Sequence, residues 1–432
     1  MIEQLYKIFL QHNSIQTDTR KLQPGDLFFA LKGPNFNGNS FAEKAIAAGA
    51  AYVVIDEKEF QIPGKTILVD DVLSALQKLA NHHRKQFDSL SRTGGIPFIA
   101  ITGSNGKTTT KELIHAVLST TFKTFTTEGN LNNHIGVPLT LLKIKQDAEM
   151  AVIEMGANHL EEIAGYCEIA QPTYGLITNC GKAHLEGFGS EEGVRKGKGE
   201  LFDYLRNNNG TAFIMSDYNY LQEMSHGILN KIKYGTHDAE ITGITGGPDT
   251  FLSVKMTKGV SPVTIRTQLV GDYNLPNVLA AIAVGKHFGV PEEKIISAIE
   301  NYIPSNSRSQ LLIKDSNTFI LDAYNANPSS MKLAIENFAK NVADHKVLML
   351  GAMAELGNES LHEHEQIIEL IKRYNWKNVV LVGGDFLNLS HPFISFENSL
   401  QAKEWFNEKK FNNTHFLIKG SRSMKMEKLI DK

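Results

Sequence analysis

The chain has 432 residues, of which 42% are hydrophobic and 21% charged, and this predicts a globular protein of two to four domains. Its formal net charge of −3 gives no indication of the basic face that nucleic-acid binding needs, so we expect no nucleic-acid partner. The chain has two cysteines, which do not form a disulfide framework, and residues 1–7 show no signal-peptide pattern, so we expect a cytoplasmic protein. No apolar run is long enough for a membrane span. We also expect a monomer.

Residues 1–92 form the first predicted block, in which short strands and helices alternate. Apolar runs predict strands at residues 26–31 and 51–55, and the alanine-rich segment 41–50 predicts a helix between them. The polar stretch 89–95 predicts a linker. We therefore expect a small α/β domain that ends near residue 92.

Residues 93–304 form the second predicted block. An apolar run at residues 97–101 predicts a buried strand, and apolar residues recur at helical spacing in residues 111–118. Further strands are predicted at residues 151–155 and 174–178, before a polar, proline-containing junction at 302–307. Strands that alternate with helices predict a mostly parallel α/β sheet, and the loop before the first helix indicates a P-loop ATPase-like domain.

Residues 305–432 form the third predicted block, where the α/β alternation starts again. Apolar runs predict strands at residues 318–322, 346–350, 379–382 and 414–418. Several of these runs end in glycine or acidic residues, as strands that lead into a ligand crevice often do. We expect a Rossmann-like α/β domain.

A phosphate-binding loop lies between the first strand and the first helix of the second block. Backbone N–H groups and a helix N-terminus attract an anion there, while Lys107 can reach the outer phosphates and Thr108 can ligate Mg²⁺. Ile101 stands where the spacing G-x-x-x-x-G-K-S/T has its first glycine, so the loop indicates a nucleotide user outside the common GTPases. The predicted loop residues are Gly103, Ser104, Asn105, Gly106, Lys107, Thr108 and Thr109.

Other candidate ligands follow the strands of the same block. Glu154 ends a strand and is either a second Mg²⁺ ligand beside Thr108 or a solvated acid. His184 lies in a glycine-rich loop after the next strand and is a candidate metal ligand. Of the two lysines that follow, Lys196 and Lys198, the residue chemistry favours neither.

The phosphate loop, TGSNGKTTTKE (residues 102–112), resembles the ATP loop of the Mur ligase family, whose shortened G-x-x-G-K-T form accounts for Ile101. The segments NLNNHIGVP (130–138), EMGA (154–157), AHLE (183–186) and KGE (198–200) match that family in the same order, so the resemblance covers essentially the whole chain. It implies an amide ligase that uses ATP and two Mg²⁺ ions.

The resemblance also implies the roles of the central residues. Lys107, Glu154, His184 and Lys198 would be catalytic, and Thr108 would join the last three as metal ligands. Lys198 rather than Lys196 would be the family lysine that reacts with CO₂ to form a carbamate, which requires a neutral amine.

Three tracts of the third block resemble the branch of the family that joins D-alanyl-D-alanine to UDP-N-acetylmuramoyl-tripeptide. They are DAYNANPSSM (322–331), GAMAELG (351–357) and KGSRSMKME (419–427). The implied partners are these two substrates, with either diaminopimelate or lysine as the third peptide residue. The alternatives within the superfamily are the third-residue-adding ligase and a folylpolyglutamate synthetase.

The same resemblance assigns the nucleotide contacts. Asp322 would hold the ATP ribose, and Arg308 would reach ATP when the third block closes. Asn274 and Asn277 would contact the adenine, although either side chain could instead cap the following helix.

Substrate contacts are implied on all three blocks. The third block, as the dipeptide-binding domain, would contribute Tyr324, Asn325 and Arg422. The tract TDTR (17–20) and residues 24–33 resemble the uridine-nucleotide-binding start of the family, with Thr19 where serine is common. Arg20 and Lys32 would contact the nucleotide or serve as surface cations. Asn132 and Asn133 would contact phosphate or a substrate carbonyl, or simply form turns.

The implied reaction begins with attack of a peptide carboxylate on the γ-phosphorus of ATP, which gives an acyl phosphate that the dipeptide amine then attacks. Two other classes of protein fit the chain less well. A guanine-nucleotide switch predicts an Asn-Lys-x-Asp motif, which the chain lacks. A non-catalytic binding protein predicts loss of Lys107, Glu154, His184 or Lys198, and all four are present.

Overall fold

The computed structural model describes residues 1–12, 14–89, 95–247, 250–305 and 307–430. Most of the predicted linker at 89–95, and Asn306 in the predicted junction, lie outside the described residues. The described chain holds three larger sheets, of four, nine and six strands, with helices packed against them. The predicted α/β class with mostly parallel sheets is confirmed, while the domain boundaries at 92 and 304 stay predictions.

The first sheet is parallel, with the strand order β1-β2-β5-β6, and β3 pairs with β4 in a separate two-stranded ladder. Its elements are α1 (Ile2–His12), β1 (Ile15–Gln16), β2 (Leu27–Phe29), β3 (Lys32–Gly33), β4 (Phe36–Asn37), α2 (Ala42–Ala47), β5 (Tyr52–Ile55), β6 (Thr66–Leu68) and α3 (Val72–Lys85). The helix predicted at 41–50 is shorter than expected. Gly49 follows it with φ 100°, a left-handed conformation that a helix cannot continue through.

The second sheet carries the strand that precedes the phosphate loop. Its elements are β7 (Phe98–Thr102), α4 (Lys107–Ser119), β8 (Thr124–Thr126), α5 (Gly136–Leu142), β9 (Met150–Glu154), α6 (Glu162–Ala170), β10 (Tyr174–Ile177), α7 (Leu185–Phe188), α8 (Glu191–Asn207), β11 (Thr211–Met215), α9 (Asn219–Met224), β12 (Asn230–Gly235), β13 (Ile241–Thr245), β14 (Phe251–Lys258), β15 (Thr264–Val270), α10 (Leu275–His287) and α11 (Glu292–Asn301). The strand order is β15-β14-β13-β12-β11-β10-β7-β9-β8, parallel from β8 to β13 and antiparallel from β13 to β15.

The third sheet has the order β16-β17-β21-β18-β19-β20, with only β16 antiparallel to its neighbour. Its elements are β16 (Gln310–Lys314), β17 (Asn317–Asp322), α12 (Pro328–Lys340), β18 (Lys346–Gly351), α13 (Ser360–Ile371), β19 (Asn378–Val382), β20 (Ile394–Phe396), α14 (Ser399–Lys409) and β21 (His415–Lys419). Short 3-10 turns lie at Gly38–Phe41, Lys58–Phe60, Gln86–Ser89, Asp272–Asn274, Gly357–Glu359, Gly384–Asn388, Arg422–Met424 and Met426–Leu429.

One hydrophobic core joins α1 and α3 to the second sheet. Helix α3 packs against α5 and α6. Its buried Arg84 lies over the Phe98 ring at 3.8 Å and donates hydrogen bonds to the carbonyls of Ala170 and Gln171. The packing therefore fixes the first block against the second through α3. Among the described helices, none is both long and apolar enough to cross a membrane.

Neighbouring parallel strands place the candidate site. Strand β7 lies between β9 and β10, so the segments that follow these three strands emerge at one edge of the sheet. The phosphate loop follows β7, Glu154 ends β9 and Asn179 follows β10. This is the edge at which α/β sheets bind ligands.

Candidate active site

The phosphate loop depends on its glycines. Gly103 has φ 139° and Gly106 has φ 79°, and a Cβ on Gly103 would lie 2.1 Å from Oγ1 of Thr178. Asn179 supports the loop from β10, because its side chain accepts a hydrogen bond from the Asn105 N–H and donates one to the Asn105 carbonyl, each at 3.0 Å. The sequence motifs predicted no role for Asn179. Its position just after β10, a neighbour of β7, could have indicated that it supports the loop.

Lys107 is the first residue of α4 and folds back over this loop. Its Nζ donates to the carbonyls of Gly103 at 2.7 Å and Ser104 at 3.2 Å. Desolvation lowers the pKa of Lys107, and the nearby Glu154 carboxylate opposes that shift. The ammonium is thus held where an anion bound by the loop would meet it.

Thr108 and Glu154 are in direct contact. The Thr108 hydroxyl lies 2.9 Å from Oε2 and 3.1 Å from Oε1 of the Glu154 carboxylate, which is only 1% exposed. Asn132 donates to the same carboxylate at 2.8 Å, and the Glu154 N–H donates to the Thr127 hydroxyl at 3.0 Å. Glu154 is therefore a buried, positioned carboxylate and not a solvated strand-end acid.

Lys111 is a further cation at this site, and the motif spacing did not predict it. Its buried Nζ donates to the Thr127 carbonyl at 2.7 Å and lies 4.0 Å from Oε2 of Glu154. Burial lowers the pKa of Lys111, and Glu154 opposes the shift. The available signal was its helical spacing, one turn beyond Lys107 and Thr108, which places it near their face of α4.

The structure separates the two lysines that residue chemistry left open. Lys196 is exposed on α8, whereas Lys198 is fully buried, with its Nζ donating to the Ala157 carbonyl at 2.7 Å and lying 4.8 Å from the centre of the Phe188 ring. Burial, reinforced by the positive charge of Lys107, lowers the pKa of Lys198 to about 7. A neutral amine is therefore accessible near neutral pH.

His184 lies just before α7 with a left-handed φ of 53°. Its Nδ1 is 2.6 Å from Oε2 of Glu355 in the third block, and this contact lowers the pKa of the Glu355 carboxyl. In the part of the chain that the structure describes, no group of three or more His, Cys, Asp or Glu residues is placed to hold a metal ion.

Asn274 and Asn277 are buried beside the phosphate loop. Asn277 accepts a hydrogen bond from the Thr110 hydroxyl at 3.0 Å and donates to Asn274 at 2.9 Å, and a Cβ on Gly106 would lie 2.7 Å from its Oδ1. Asn274 precedes α10, but its side chain donates to the Val270 carbonyl and makes no capping bond. The side-chain capping alternative for Asn274 is therefore wrong.

Residues of the third block face the loop from the opposite side. Asp322 ends β17, where it accepts a hydrogen bond from the Ser309 N–H at 3.1 Å and pairs with Lys419 at 2.6 Å. The Arg308 guanidinium stacks on the Tyr324 ring at 3.7 Å. The third block thus presents one acid, Asp322, and two cations, Arg308 and Lys419, to the crevice.

Direct contacts join the two faces. The Asn327 side chain donates to Oδ1 of Asn105 at 2.8 Å, and the Lys182 N–H donates to the Ser329 hydroxyl at 2.9 Å. A cavity of about 730 Å³ lies between the faces. The predicted residues that line it are Ser104, Asn105, Gly106, Lys107, Thr108, Thr109, Asn132, Asn133, Glu154, His184, Asn274, Asn277, Arg308, Asp322, Tyr324 and Asn325.

Four predicted substrate residues lie outside this cavity lining. Arg20 is exposed and pairs with Asp18, and Thr19 lies in the same turn. Lys32 lies 3.0 Å from Asp56 and 3.3 Å from Glu57. Arg422 is exposed and pairs with Glu427 at 3.0 Å. Their substrate roles stay predictions.

A second cavity of about 730 Å³ lies between α3 and α6. It is lined by Lys78, His82 and Glu168 among others, and it shares Glu162 and Tyr166 with the cavity at the phosphate loop. The phosphate-loop cavity contains the candidate chemistry, and the second cavity extends from it toward the first block.

Three family models match the chain. "Mur ligase family, catalytic domain" matches residues 12–84, "Mur ligase middle domain" matches 101–285, and "Mur ligase, glutamate ligase domain" matches 307–403. Together these matches extend across all three sheets.

Curated relatives are similar along nearly their full length. The UDP-N-acetylmuramoyl-tripeptide–D-alanyl-D-alanine ligase of Bacillus subtilis is 34% identical, with 97% of this chain and 92% of the relative covered. The ligase of the same name from Escherichia coli is also 34% identical, with 97% and 93% covered. The crystal structure of MurF from Acinetobacter baumannii superposes with a TM-score of 0.86 at 29% identity, covering 96% of this chain and 92% of that one.

Proposed function

The chain belongs to the Mur ligase family, and on that basis we propose that it is the ATP-dependent ligase that joins D-alanyl-D-alanine to UDP-N-acetylmuramoyl-tripeptide in peptidoglycan precursor synthesis. The observation that carries this proposal is the near full-length similarity to two ligases of that specificity. The retained Lys107, Thr108 and Glu154 group supports an active enzyme over a non-catalytic relative.

The reaction has two steps. The terminal carboxylate of the tripeptide attacks the γ-phosphorus of ATP, ADP leaves, and an acyl phosphate forms. The amine of D-alanyl-D-alanine then attacks the acyl carbon, loses a proton, and expels inorganic phosphate from a tetrahedral intermediate. Because carboxylate and γ-phosphate are both anionic, the site must offset their repulsion, and Lys107 lies where it can do so.

The central residues fit magnesium. The Thr108 hydroxyl and the Glu154 carboxylate are hard oxygen donors that already touch each other, so they would hold one Mg²⁺. When bound, the ion would neutralise phosphate charge during transfer. For a second ion we propose His184 and a carbamylated Lys198, formed when the neutral amine adds to CO₂ and releases a proton. The pKa of Lys198, about 7, supports that modification.

The remaining residues divide by block. We propose that Asn274 and Asn277 contact the adenine, that Asp322 holds the ribose, and that Arg308 reaches the phosphates. The contacts between the second and third blocks support a closed site that excludes water from the acyl phosphate. The cavity between α3 and α6 supports a path for the tripeptide toward the first block.

We further propose a cytoplasmic monomer. All proposed catalytic groups come from one chain, so the site needs no second copy. Cys167 and Cys180 are both buried and unpaired, which suits a reducing compartment.

The test is phosphate release with UDP-N-acetylmuramoyl-tripeptide and ATP, comparing D-alanyl-D-alanine with free amino acids. We expect release and a ligated product only with the dipeptide. Phosphate release with a free amino acid and the UDP-linked dipeptide precursor would instead identify the third-residue-adding ligase. Phosphate release with a folate and glutamate would identify a folylpolyglutamate synthetase.

Lys107→Ala is the matched control for this assay. We expect it to abolish ligation, because it removes the ammonium that lies over the phosphate loop, while circular dichroism stays that of the parent chain. Near-normal ligation by this variant would contradict the assignment of the phosphate loop.

A further inference from the structure

The third block reaches the His184 loop through the segment after β18. Oε2 of Glu355 lies 2.6 Å from Nδ1 of His184, with the carboxylate half exposed and the imidazole largely buried. The two atoms are in close polar contact, although the ring N–H is not aligned as a hydrogen bond in this ring orientation. Neither residue spacing nor family resemblance assigns Glu355 a role.

The backbone holds this contact in place from both sides. His184 and Glu355 both have left-handed φ values, 53° and 62°, which residues with a Cβ adopt rarely. The Glu186 N–H donates to the Glu355 carbonyl at 3.2 Å. A Cβ on Gly357 would lie 3.3 Å from Cα of Glu186, so the two segments approach closely. The carboxylate is therefore presented to the imidazole by main-chain geometry.

Contacts other than the Glu355 carboxylate also join the two blocks. Lys182 pairs with the largely buried Glu363 of α13 at 2.6 Å across the same interface. Asn105 with Asn327, and the Lys182 N–H with Ser329, add two further contacts. These contacts do not involve His184, so they remain when the Glu355 carboxylate is removed.

We propose that Glu355 is a positioning residue for His184, supplied across the interface by the third block. A histidine that binds a metal through one ring nitrogen usually donates its other N–H to a carboxylate, which fixes the tautomer and the ring orientation. Nδ1 faces Glu355, so a small rotation of the ring would align its N–H with the carboxylate and leave Nε2 as the metal-binding nitrogen. Closure of the third block thereby completes the metal site. This inference rests on the proposed role of His184 in the proposed ligase.

The experiment measures Mn²⁺ binding to the full-length chain with ADP and bicarbonate, by electron paramagnetic resonance, in parallel with steady-state ligation. The variants are Glu355→Ala, Glu355→Gln and His184→Ala, with Glu363→Gln as the matched interface control. We expect Glu355→Ala to weaken Mn²⁺ binding about 10- to 100-fold. Glu355→Gln should lose less, because an amide oxygen still accepts the Nδ1 hydrogen, and Glu363→Gln should stay within about twofold of the parent.

A double variant tests whether Glu355 acts through His184. If it does, Glu355→Ala with His184→Ala binds Mn²⁺ no more weakly than His184→Ala alone. An added loss in the double variant, an equal loss in Glu363→Gln, or parent-like binding by Glu355→Ala would each overturn the inference. Failure of the parent chain to ligate D-alanyl-D-alanine would instead overturn the proposed function, so the two failures are distinguishable.

Discussion

Replacing Lys198 by methionine tests whether this lysine is kept for chemistry at the expense of stability. The side chain is fully buried on α8 beside Phe188, and its Nζ donates to the Ala157 carbonyl. Burial and the charge of Lys107 lower its pKa from the ordinary 10.5 to about 7. Methionine has similar length and no charge, so we expect a more stable protein that does not ligate.

The magnitude follows from the pKa shift. One pKa unit corresponds to about 1.4 kcal/mol, so the neutral, folded lysine at pH 7.5 is disfavoured by about 4 kcal/mol relative to the protonated, unfolded one. The variant recovers that free energy but leaves the Ala157 carbonyl without its donor, which costs about 1–3 kcal/mol. We expect a net gain of about 1–3 kcal/mol in the free energy of unfolding and a Tm higher by several degrees.

The pH dependence gives the sign of the effect. Because the pKa of Lys198 is lowered in the folded state, the unfolded chain binds more protons between pH 7 and 10.5, and stability rises with pH in that window. The slope for this one group is about 1.4 kcal/mol per pH unit. Below pH 7 the penalty is fully present and constant. The advantage of Lys198→Met should therefore be largest near pH 7 and shrink as the pH rises.

The assay is calorimetric unfolding of the parent and the variant from pH 7 to 9.5 in buffer free of bicarbonate, with phosphate release measured alongside. The difference between the two proteins isolates Lys198 from other groups that titrate in the same range. A variant that is less stable at pH 7.5, with a gap that does not change with pH, would refute the reasoning. A variant that still ligates would refute the proposed role of the lysine.

Three further substitutions test neighbouring groups. Lys111→Met removes the cation 4.0 Å from buried Glu154, so we expect the metal-free protein to lose about 3 kcal/mol and Mg²⁺ to restore part of the Tm; an unchanged metal-free Tm would contradict this. Asn277→Ala leaves the Thr110 hydroxyl unpaired beside the phosphate loop, so we expect the KM for ATP to rise about tenfold while the KM for the dipeptide stays unchanged. Equal rises in both KM values would argue against an ATP contact. Arg422→Ala should raise only the dipeptide KM, and an unchanged value would remove Arg422 from the substrate site.

Apolar runs predicted several of the strands that are buried on both faces, although β11, which is buried along most of its length, was not predicted. Strands β7 and β9 are buried along their whole length, so they read as continuous hydrophobic segments. Strand β14 was missed, because its residues alternate between buried and exposed positions and include Lys255 and Lys258. The antiparallel extension of the second sheet therefore left no continuous apolar run to detect.

The sequence predicts those contacts of the site that follow from the order and direction of parallel strands. Thr108 and Glu154 follow adjacent parallel strands, so their juxtaposition can be argued from topology before any coordinates. The contacts of Lys111 with Glu154 and of His184 with Glu355 depend instead on how side chains and blocks pack. No periodicity in the sequence encodes the distance between a helix face and a strand end, or between two blocks separated by more than 150 residues.

The balance of charge around Glu154 argues for an anionic ligand independently of any relative. Desolvation lowers the pKa of Lys107, Lys111 and Lys198 alike, and the charge of Lys107 lowers that of Lys198 further. Glu154 opposes the shift at Lys107 and Lys111. Glu355, Glu112 and Glu200 add further opposing charge, but burial outweighs these carboxylates. An apolar residue in place of Lys198 would pack without that penalty. Phosphate or carboxylate groups that enter beside the cluster would offset the cost of burying these cations, as in the transfer of a phosphoryl group to a peptide carboxylate.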